Sequence, residues 1–178
     1  MSSYCEASID HPFHGPYHDQ EYGFPLTEDN QLFGRLVLEI NQAGLSWLTI
    51  LKKKNAFQKA FCNFDIEKIA HFKDEDRERL ITDATIIRNR LKIDATIANA
   101  NTILSLKNEY GSFHAWLQHQ HPLSKEEWAV LFKQTFFFTG GEITREFLTS
   151  TGYLPGAHHK KCPIYKKIQK LNPPWLKN

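Results

Sequence analysis

The chain has 178 residues, of which 41% are hydrophobic and 24% are charged. This length suits one domain with a sizeable core, and the composition excludes a disordered or fibrous chain. The N-terminal residues contain no apolar signal-peptide core, and no apolar run reaches the roughly 18 residues that a membrane-spanning helix needs. We therefore expect a single domain over residues 1–178, cytoplasmic and without a membrane segment.

The distribution of charge is more informative than the formal net charge of +2. Residues 157–178 include six Lys and no Asp or Glu, and two further basic clusters lie at 52–54 and 88–92. Such clusters are usually solvated faces of a protein. Three of them are also compatible with a surface that binds phosphate groups.

The spacing of apolar residues predicts helices along most of the chain. Residues 1–26 are expected to be irregular, because Pro and Gly recur there. Thr27 and Ser46 are the predicted N-caps of the first two long helices, and Gly44 ends the first of them. Further helices are predicted at 65–70, 74–81, about 87–106, from 124 onwards and at 142–150. Three consecutive Phe at 136–138 could form a short strand, but no partner strand is evident, so we predict an all-α fold.

Cysteine and histidine residues cluster near both ends of the sequence. Cys5 and His18 lie in the first 26 residues, and His158 and Cys162 lie near the end. Two thiolates and two imidazoles suit a closed tetrahedral zinc site, which is structural because it leaves no position for a reacting water. The spacing does not decide between His158 and His159, and it is also compatible with unrelated surface histidines and buried cysteines.

Four stretches of the sequence contain many characteristic residues in a fixed order: 17–23 (YHDQEYG), 39–53 (EINQAGLSWLTILKK), 57–65 (FQKAFCNFD) and 86–93 (IIRNRLKI). Together they resemble the 3-methyladenine DNA glycosylase I family. The stretch 39–53 is the most specific, because so many identities in order seldom arise by chance. The resemblance is clear from residue 5 to about 100, weakens from 105 to 140 and returns at the His158 and Cys162 pair.

The resemblance implies a helix-hairpin-helix DNA glycosylase whose terminal segments, 1–26 and 155–178, are joined by one structural zinc ion. The ligands it implies are Cys5, His18, His158 and Cys162. The implied activity is monofunctional: 3-methyladenine is flipped out of alkylated double-stranded DNA and released by hydrolysis, without a lyase step. We expect the enzyme to act as a monomer.

The resemblance also implies the residues of a base pocket. Glu39 would be the catalytic residue that contacts the flipped base, its carboxylate accepting a hydrogen bond from the exocyclic amine. Tyr17, Tyr22 and Trp47 would offer faces on which the base stacks. From the sequence alone, Glu39 could equally be a surface residue of its helix, and isolated aromatic residues are more often part of a core.

The hairpin motif is expected at approximately 76–100. Backbone N–H groups at the tight turn and at the start of its second helix would hold a DNA phosphate. Arg88, Arg90 and Lys92 would then lie near the phosphate. Without the resemblance, an ordinary helical corner with solvated charges explains the same residues.

The chain departs from the family at three positions that affect these expectations. Ala7 stands where many members have Trp, His14 where Tyr is usual, and Thr85 where Gly is common. A β-branched residue is costly at positive φ, so the hairpin has either another conformation or a weaker DNA contact. The alternatives to the enzyme are a non-catalytic or altered-specificity zinc-stabilised DNA-binding protein, and a helical interaction protein with a basic tail.

Overall fold

The computed structural model describes residues 3–177, and this part of the chain folds into helices joined by turns, with no strand among the described residues. The α-helices are α1 (Tyr4–Ala7), α2 (His14–Gln20), α3 (Asp29–Gln42), α4 (Trp47–Ala60), α5 (Ile66–Ala70), α6 (Asp74–Thr82), α7 (Arg90–Tyr110), α8 (Phe113–Gln120), α9 (Lys125–Thr135), α10 (Gly141–Ser150) and α11 (Pro163–Lys170). Short 3-10 segments cover Cys62–Phe64 and Pro174–Lys177. The predicted all-α class is confirmed.

None of the helices within residues 3–177 combines the length and the apolar character of a membrane span.

Helix α3 lies at the centre of the core and packs against α4, α7, α8 and α10. Residues 32–41 of this helix are all buried. The large apolar ones among them are Leu32, Phe33, Leu36, Val37, Leu38 and Ile40. The carboxylate of Glu28 caps the helix by accepting hydrogen bonds from the backbone N–H groups of Asn30 and Gln31. The predicted cap at Thr27 is therefore one residue early. Gly44, at a φ of +81°, turns the chain after the helix as predicted.

Residues 1–26 were expected to be irregular, but the described part of this segment contains α1 and α2. Ser3 and Glu6 form a capping box that starts α1. Pro16 lies in the first turn of α2, where its missing N–H group has no intrahelical partner to lose. The Gly and Pro content thus marks a helix start here and not a continuous loop.

The three Phe at 136–138 form a turn and not the short strand that was considered for them, in agreement with the predicted all-α fold. The side chain of Asn99 pairs with the backbone of Phe137, accepting from its N–H at 2.8 Å and donating to its carbonyl at 3.0 Å. Phe136 is buried in the core, whereas Phe137 and Phe138 are exposed. Asn99 therefore takes the backbone groups that a neighbouring strand would have paired.

Helix α7 begins at Arg90, three residues later than predicted, because Asn89 caps it by accepting from the N–H of Lys92 at 3.1 Å. Thr85 lies in the turn before it and is not among the residues with positive φ. The Asp83 carboxylate accepts hydrogen bonds from both the N–H and the hydroxyl of Thr85. The turn thus has a conformation that a β-branched residue adopts without strain.

Lys92 is buried inside the protein and does not face solvent. Its ammonium donates hydrogen bonds to the carbonyls of Asn41 at 2.8 Å and Ala43 at 2.7 Å, at the C-terminal end of α3. A cation at this end also interacts favourably with the helix dipole. The prediction that Lys92 contacts DNA is corrected: this side chain joins α7 to α3.

Candidate active site and metal cluster

A pocket of about 370 Å³ opens beside α3 and α10. Its lining residues are Tyr4, Tyr17, Tyr22, Glu39, Gln42, Trp47, Glu142 and Glu146. The four residues predicted for a base pocket are therefore brought together at one cavity. Four further lining residues, on α1, α3 and α10, were not predicted from the sequence.

Aromatic side chains form much of the pocket wall. The rings of Tyr17 and Trp47 have centroids 5.3 Å apart, and those of Tyr17 and Tyr22 are 5.6 Å apart. Tyr4 meets Tyr22 edge-on, with centroids 5.3 Å apart and an interplanar angle of 83°. Faces arranged in this way can hold a flat, conjugated ligand by stacking and edge contacts.

Two of the departures from the family, Ala7 and His14, lie close to Tyr4 in the chain. Ala7 is exposed on the far end of α1 and is not part of the lining, so that position contributes no wall. The Tyr4 hydroxyl instead forms a hydrogen bond with Nδ1 of His14 at 3.0 Å. Tyr4 thus supplies part of the aromatic wall of the pocket, although Ala7 contributes nothing to it.

Glu39 lies on α3 with only 4% of its surface exposed, and no residue in the range 3–177 forms a hydrogen bond with its carboxylate. Burial raises the pKa of this carboxyl to about 8. The guanidinium of Arg35 acts in the opposite direction, and the carboxylates of Glu146 and Glu142 raise the pKa further. A buried carboxyl without a partner is costly to a fold. It is also a group that a bound ligand can satisfy.

Arg35, one helical turn before Glu39, holds Tyr17 from behind. Its guanidinium donates to the Tyr17 hydroxyl at 3.4 Å and to the carbonyl of Ser150 at 3.1 Å. It also lies 5.2 Å from the centre of the Tyr17 ring, a cation–π distance. The orientation of the Tyr17 face is therefore determined by a buried cation.

The predicted metal ligands converge on one buried point. The ligand atoms of Cys5, His18, His158 and Cys162 all lie within 4.8 Å of one another. The sulfur of Cys162 is 3.7 Å from Nε2 of His18 and 3.6 Å from Nδ1 of His158. In a tetrahedral zinc site with usual bond lengths, a sulfur and a nitrogen are about 3.6 Å apart. The spacing of these atoms therefore fits a zinc ion.

The outer ring nitrogens of both histidines are held by oxygen atoms. Nδ1 of His18 lies 2.7 Å from a carboxylate oxygen of Asp19, and Nε2 of His158 lies 2.7 Å from the carbonyl of Tyr22. Such contacts fix the ring so that its other nitrogen faces the metal. His159 is exposed and outside the group, so the choice between the two histidines falls on His158.

The remaining predicted site residues lie at the start of α7. Arg88 is exposed in the turn between α6 and α7. Arg90 is also exposed and forms an ion pair of 3.1 Å with Glu78 on α6. Both guanidinium groups can reach a ligand outside the protein, unlike the ammonium of Lys92.

The sequence profile described as "Methyladenine glycosylase" matches residues 7–129 of this chain, well over half of its length. The chain belongs to the methyladenine glycosylase family. The resemblance seen in the sequence is thereby confirmed.

Individual members of the methyladenine glycosylase family match nearly the whole chain. DNA-3-methyladenine glycosylase 1 of Escherichia coli is 47% identical over an alignment of 173 residues, and the match covers 86% of this chain and 92% of that protein. A crystal structure of a variant 3-methyladenine DNA glycosylase I in complex with 3-methyladenine has a TM-score of 0.81 and 32% identity, covering 92% of this chain and 97% of the other. The Staphylococcus aureus enzyme, in a structural study of 3-methyladenine recognition, has a TM-score of 0.80 and 33% identity over 90% of this chain and 95% of its own.

The raised pKa of Glu39 predicts a dependence of stability on pH. The unfolded carboxyl titrates near 4.5 and the folded one near 8, so the folded state binds an additional proton between these values. The resulting stabilisation is complete below pH 4.5 and is lost as the pH rises through 8. We expect Glu39→Gln to remove this loss, which amounts to at most about 1.4 kcal/mol per pH unit.

Urea unfolding of the wild type and Glu39→Gln from pH 5 to 9 measures this effect. As the pH rises over this range, the free energy of unfolding of the wild type should fall by a few kcal/mol relative to that of the variant. Glu109→Gln, at an exposed position of α7, controls for loss of a carboxylate. Parallel curves for the wild type and Glu39→Gln would show that the carboxyl titrates normally.

Proposed function

We propose that the protein is a monofunctional DNA glycosylase that releases 3-methyladenine from alkylated double-stranded DNA, acting as one domain and as a monomer. The observation that carries the proposal is the buried carboxyl of Glu39, which has no partner among the described residues and lines an aromatic pocket. The family of the chain and the ligand of its structural neighbour agree with this reading.

Binding in the pocket requires the damaged base to leave the duplex, because the atoms to be recognised are otherwise enclosed by stacking. The exocyclic amine of the base would donate a hydrogen bond to Glu39. Tyr17 and Trp47 would stack on the ring, with Tyr22 and Tyr4 closing the remaining wall. A bound donor would thus satisfy the buried carboxyl of Glu39, which has no hydrogen-bond partner among the described residues.

Methylation at N3 gives the adenine ring a positive charge and weakens the glycosidic bond. The reaction therefore needs little catalytic assistance from the protein. The bond between the sugar carbon and the base breaks, and its electron pair goes to the ring, which leaves neutral. Water then bonds to the sugar carbon and loses a proton to solvent. No lysine is among the described residues that line the pocket, in agreement with hydrolysis without a Schiff-base intermediate.

The second candidate is an altered-specificity or non-catalytic DNA-binding protein with the same scaffold. Glu142 and Glu146 add carboxylates to an aromatic pocket that is otherwise intact, which argues against a loss of ligand binding. The aromatic wall supplied by Tyr4 weakens the case for a non-catalytic module.

For the metal cluster, we propose one structural Zn²⁺ bound by Cys5, His18, His158 and Cys162. The four groups are buried, their ligand atoms converge and the two ring orientations are fixed from outside. An ion held by four protein ligands has no open position and takes no part in hydrolysis. Its effect is to bind the start of the chain to its last helix.

For DNA contact, we propose that α6, the turn at 83–89 and α7 form the helix-hairpin-helix motif. Arg88 and Arg90 are exposed where α7 begins, and the start of a helix favours a phosphate. The lysine-rich segment at 160–170 is also exposed at several positions and adds positive charge elsewhere on the surface.

Excision is tested with purified protein and a methylated duplex, by measuring free 3-methyladenine. The wild type should release the base, and Glu39→Gln should lower the rate by about 100-fold, the size expected when a group that contacts the reacting base is lost. Glu109→Gln should behave as the wild type. Binding of the duplex without release would favour the non-catalytic alternative, and an unchanged rate in Glu39→Gln would remove Glu39 from the mechanism.

Metal content is tested on the purified wild type and two cysteine variants. We expect about one zinc per chain, and its loss in Cys162→Ser together with several kcal/mol of folding stability. Cys62→Ser is the matched control, because Cys62 lies outside the cluster and should leave the zinc in place. Metal-free protein of full stability would contradict a structural zinc site.

The hairpin is tested by the salt dependence of binding to undamaged duplex DNA. Arg88→Ala should weaken binding for all sequences and reduce the slope of log K against log salt by about one. Lys92→Met should leave the slope unchanged but lower the free energy of unfolding by about 2 kcal/mol, because two carbonyls lose a charged donor. A slope unaffected by Arg88→Ala would place the DNA elsewhere.

A further inference from the structure

Helix α10 brings two carboxylates, Glu142 and Glu146, to the same pocket as Glu39. The pocket of about 370 Å³ thus combines three carboxyl groups with four aromatic side chains. Among the described residues, no arginine or lysine belongs to its lining. This grouping of carboxylates could not be predicted from the sequence, because α10 is far along the chain from the stretch that contains Glu39.

The two carboxylates of α10 are held in place by neighbours at the rim. The Tyr22 hydroxyl donates to Glu146 at 3.5 Å, and the Arg145 guanidinium lies 2.8 Å from the other oxygen of Glu146. Arg145 also forms an ion pair with Glu142. One guanidinium is therefore shared by two carboxylates, so this side of the pocket has more acidic groups than basic ones.

The immediate surroundings affect the two carboxyls of α10 differently. The hydrogen bond with Arg145 lowers the pKa of Glu142, so this group is ionised under ordinary conditions. Burial raises the pKa of Glu146, with Arg145 opposing the rise. A positive ligand in the pocket would favour the ionised form of both groups.

Aromatic faces and carboxylates share one preference in a ligand, which is positive charge. A cation over an aromatic face is attracted by the ring quadrupole, and a nearby carboxylate adds a direct electrostatic attraction. A neutral purine can stack in the same place but gains nothing from the charge of the wall. The lining of the pocket therefore differentiates purines by charge as well as by shape.

We infer that Glu142 and Glu146 form a specificity-determining wall that makes the pocket select positively charged, N-alkylated purines. The inference rests on the proposed glycosylase function and adds two residues of α10 that contribute to the preference for a charged base. Undamaged adenine is neutral, so it is disfavoured even when it is extruded from the duplex. The excised base takes up the bonding electron pair and becomes neutral, so the same wall weakens its hold on the product.

The test compares two small ligands of nearly the same shape, measured by isothermal titration calorimetry near neutral pH. The first is 3,9-dimethyladeninium, which is a cation near neutral pH and carries a methyl group in place of the sugar. The second is neutral 3-methyladenine. We expect the wild type to bind the cation at least about tenfold more tightly, and Glu142→Gln/Glu146→Gln to reduce this ratio to about threefold or less.

A double variant at exposed carboxylates, Glu109→Gln/Glu126→Gln, changes the net charge equally and should keep the wild-type ratio. The single variants Glu142→Gln and Glu146→Gln keep the test decisive where the double variant fails to fold, and each should lower the ratio by about threefold. A wild type without preference for the cation, or variants with the wild-type ratio, would overturn the inference. A wild type that prefers the cation but excises nothing would support the inference and refute the proposed repair activity.

Discussion

The cluster of two thiols and two imidazoles that joins the first and last described segments is the constraint on which the rest of the structure depends. Three aromatic residues of the pocket are attached to it. Tyr4 and Tyr17 each precede one of its members in the chain, and the carbonyl of Tyr22 lies 2.7 Å from the ring of His158. Helix α1 has four residues and cannot be stable alone. The position of the Tyr4 wall therefore follows from the cluster.

The lining of the pocket contains carboxyl groups but no basic side chain among the described residues, and the surrounding fold tolerates this excess of acidic groups. Burying Glu39 on α3 is unfavourable, and the buried apolar residues of the same helix supply the stability that tolerates this. Arg35 reduces the cost from behind the wall, whereas Glu142 and Glu146 increase it from the front. A ligand that brings a hydrogen-bond donor and positive charge removes both problems at once. The free protein is thus arranged for the bound state.

Much of the fold and part of the site could be predicted from the sequence. The apolar spacing of α3 and α4 reflects burial directly, and the stretch that contains Glu39 and Trp47 is specific enough to identify a pocket. Contacts between distant segments have no such local signal. Tyr4 reaches the pocket only because the two ends of the chain meet, and Lys92 resembles a solvated charge until its bonds to carbonyls some fifty residues earlier are seen.

Those bonds of Lys92 have a mechanical consequence. They fasten the first turn of α7 to the end of α3, immediately before the chain turns into the helix that starts with Trp47. A duplex bound at the beginning of α7 would therefore reach the opening of the pocket at one fixed distance along the strand. A nucleotide could then enter the pocket only when it lies at that distance from the phosphate bound at the start of α7.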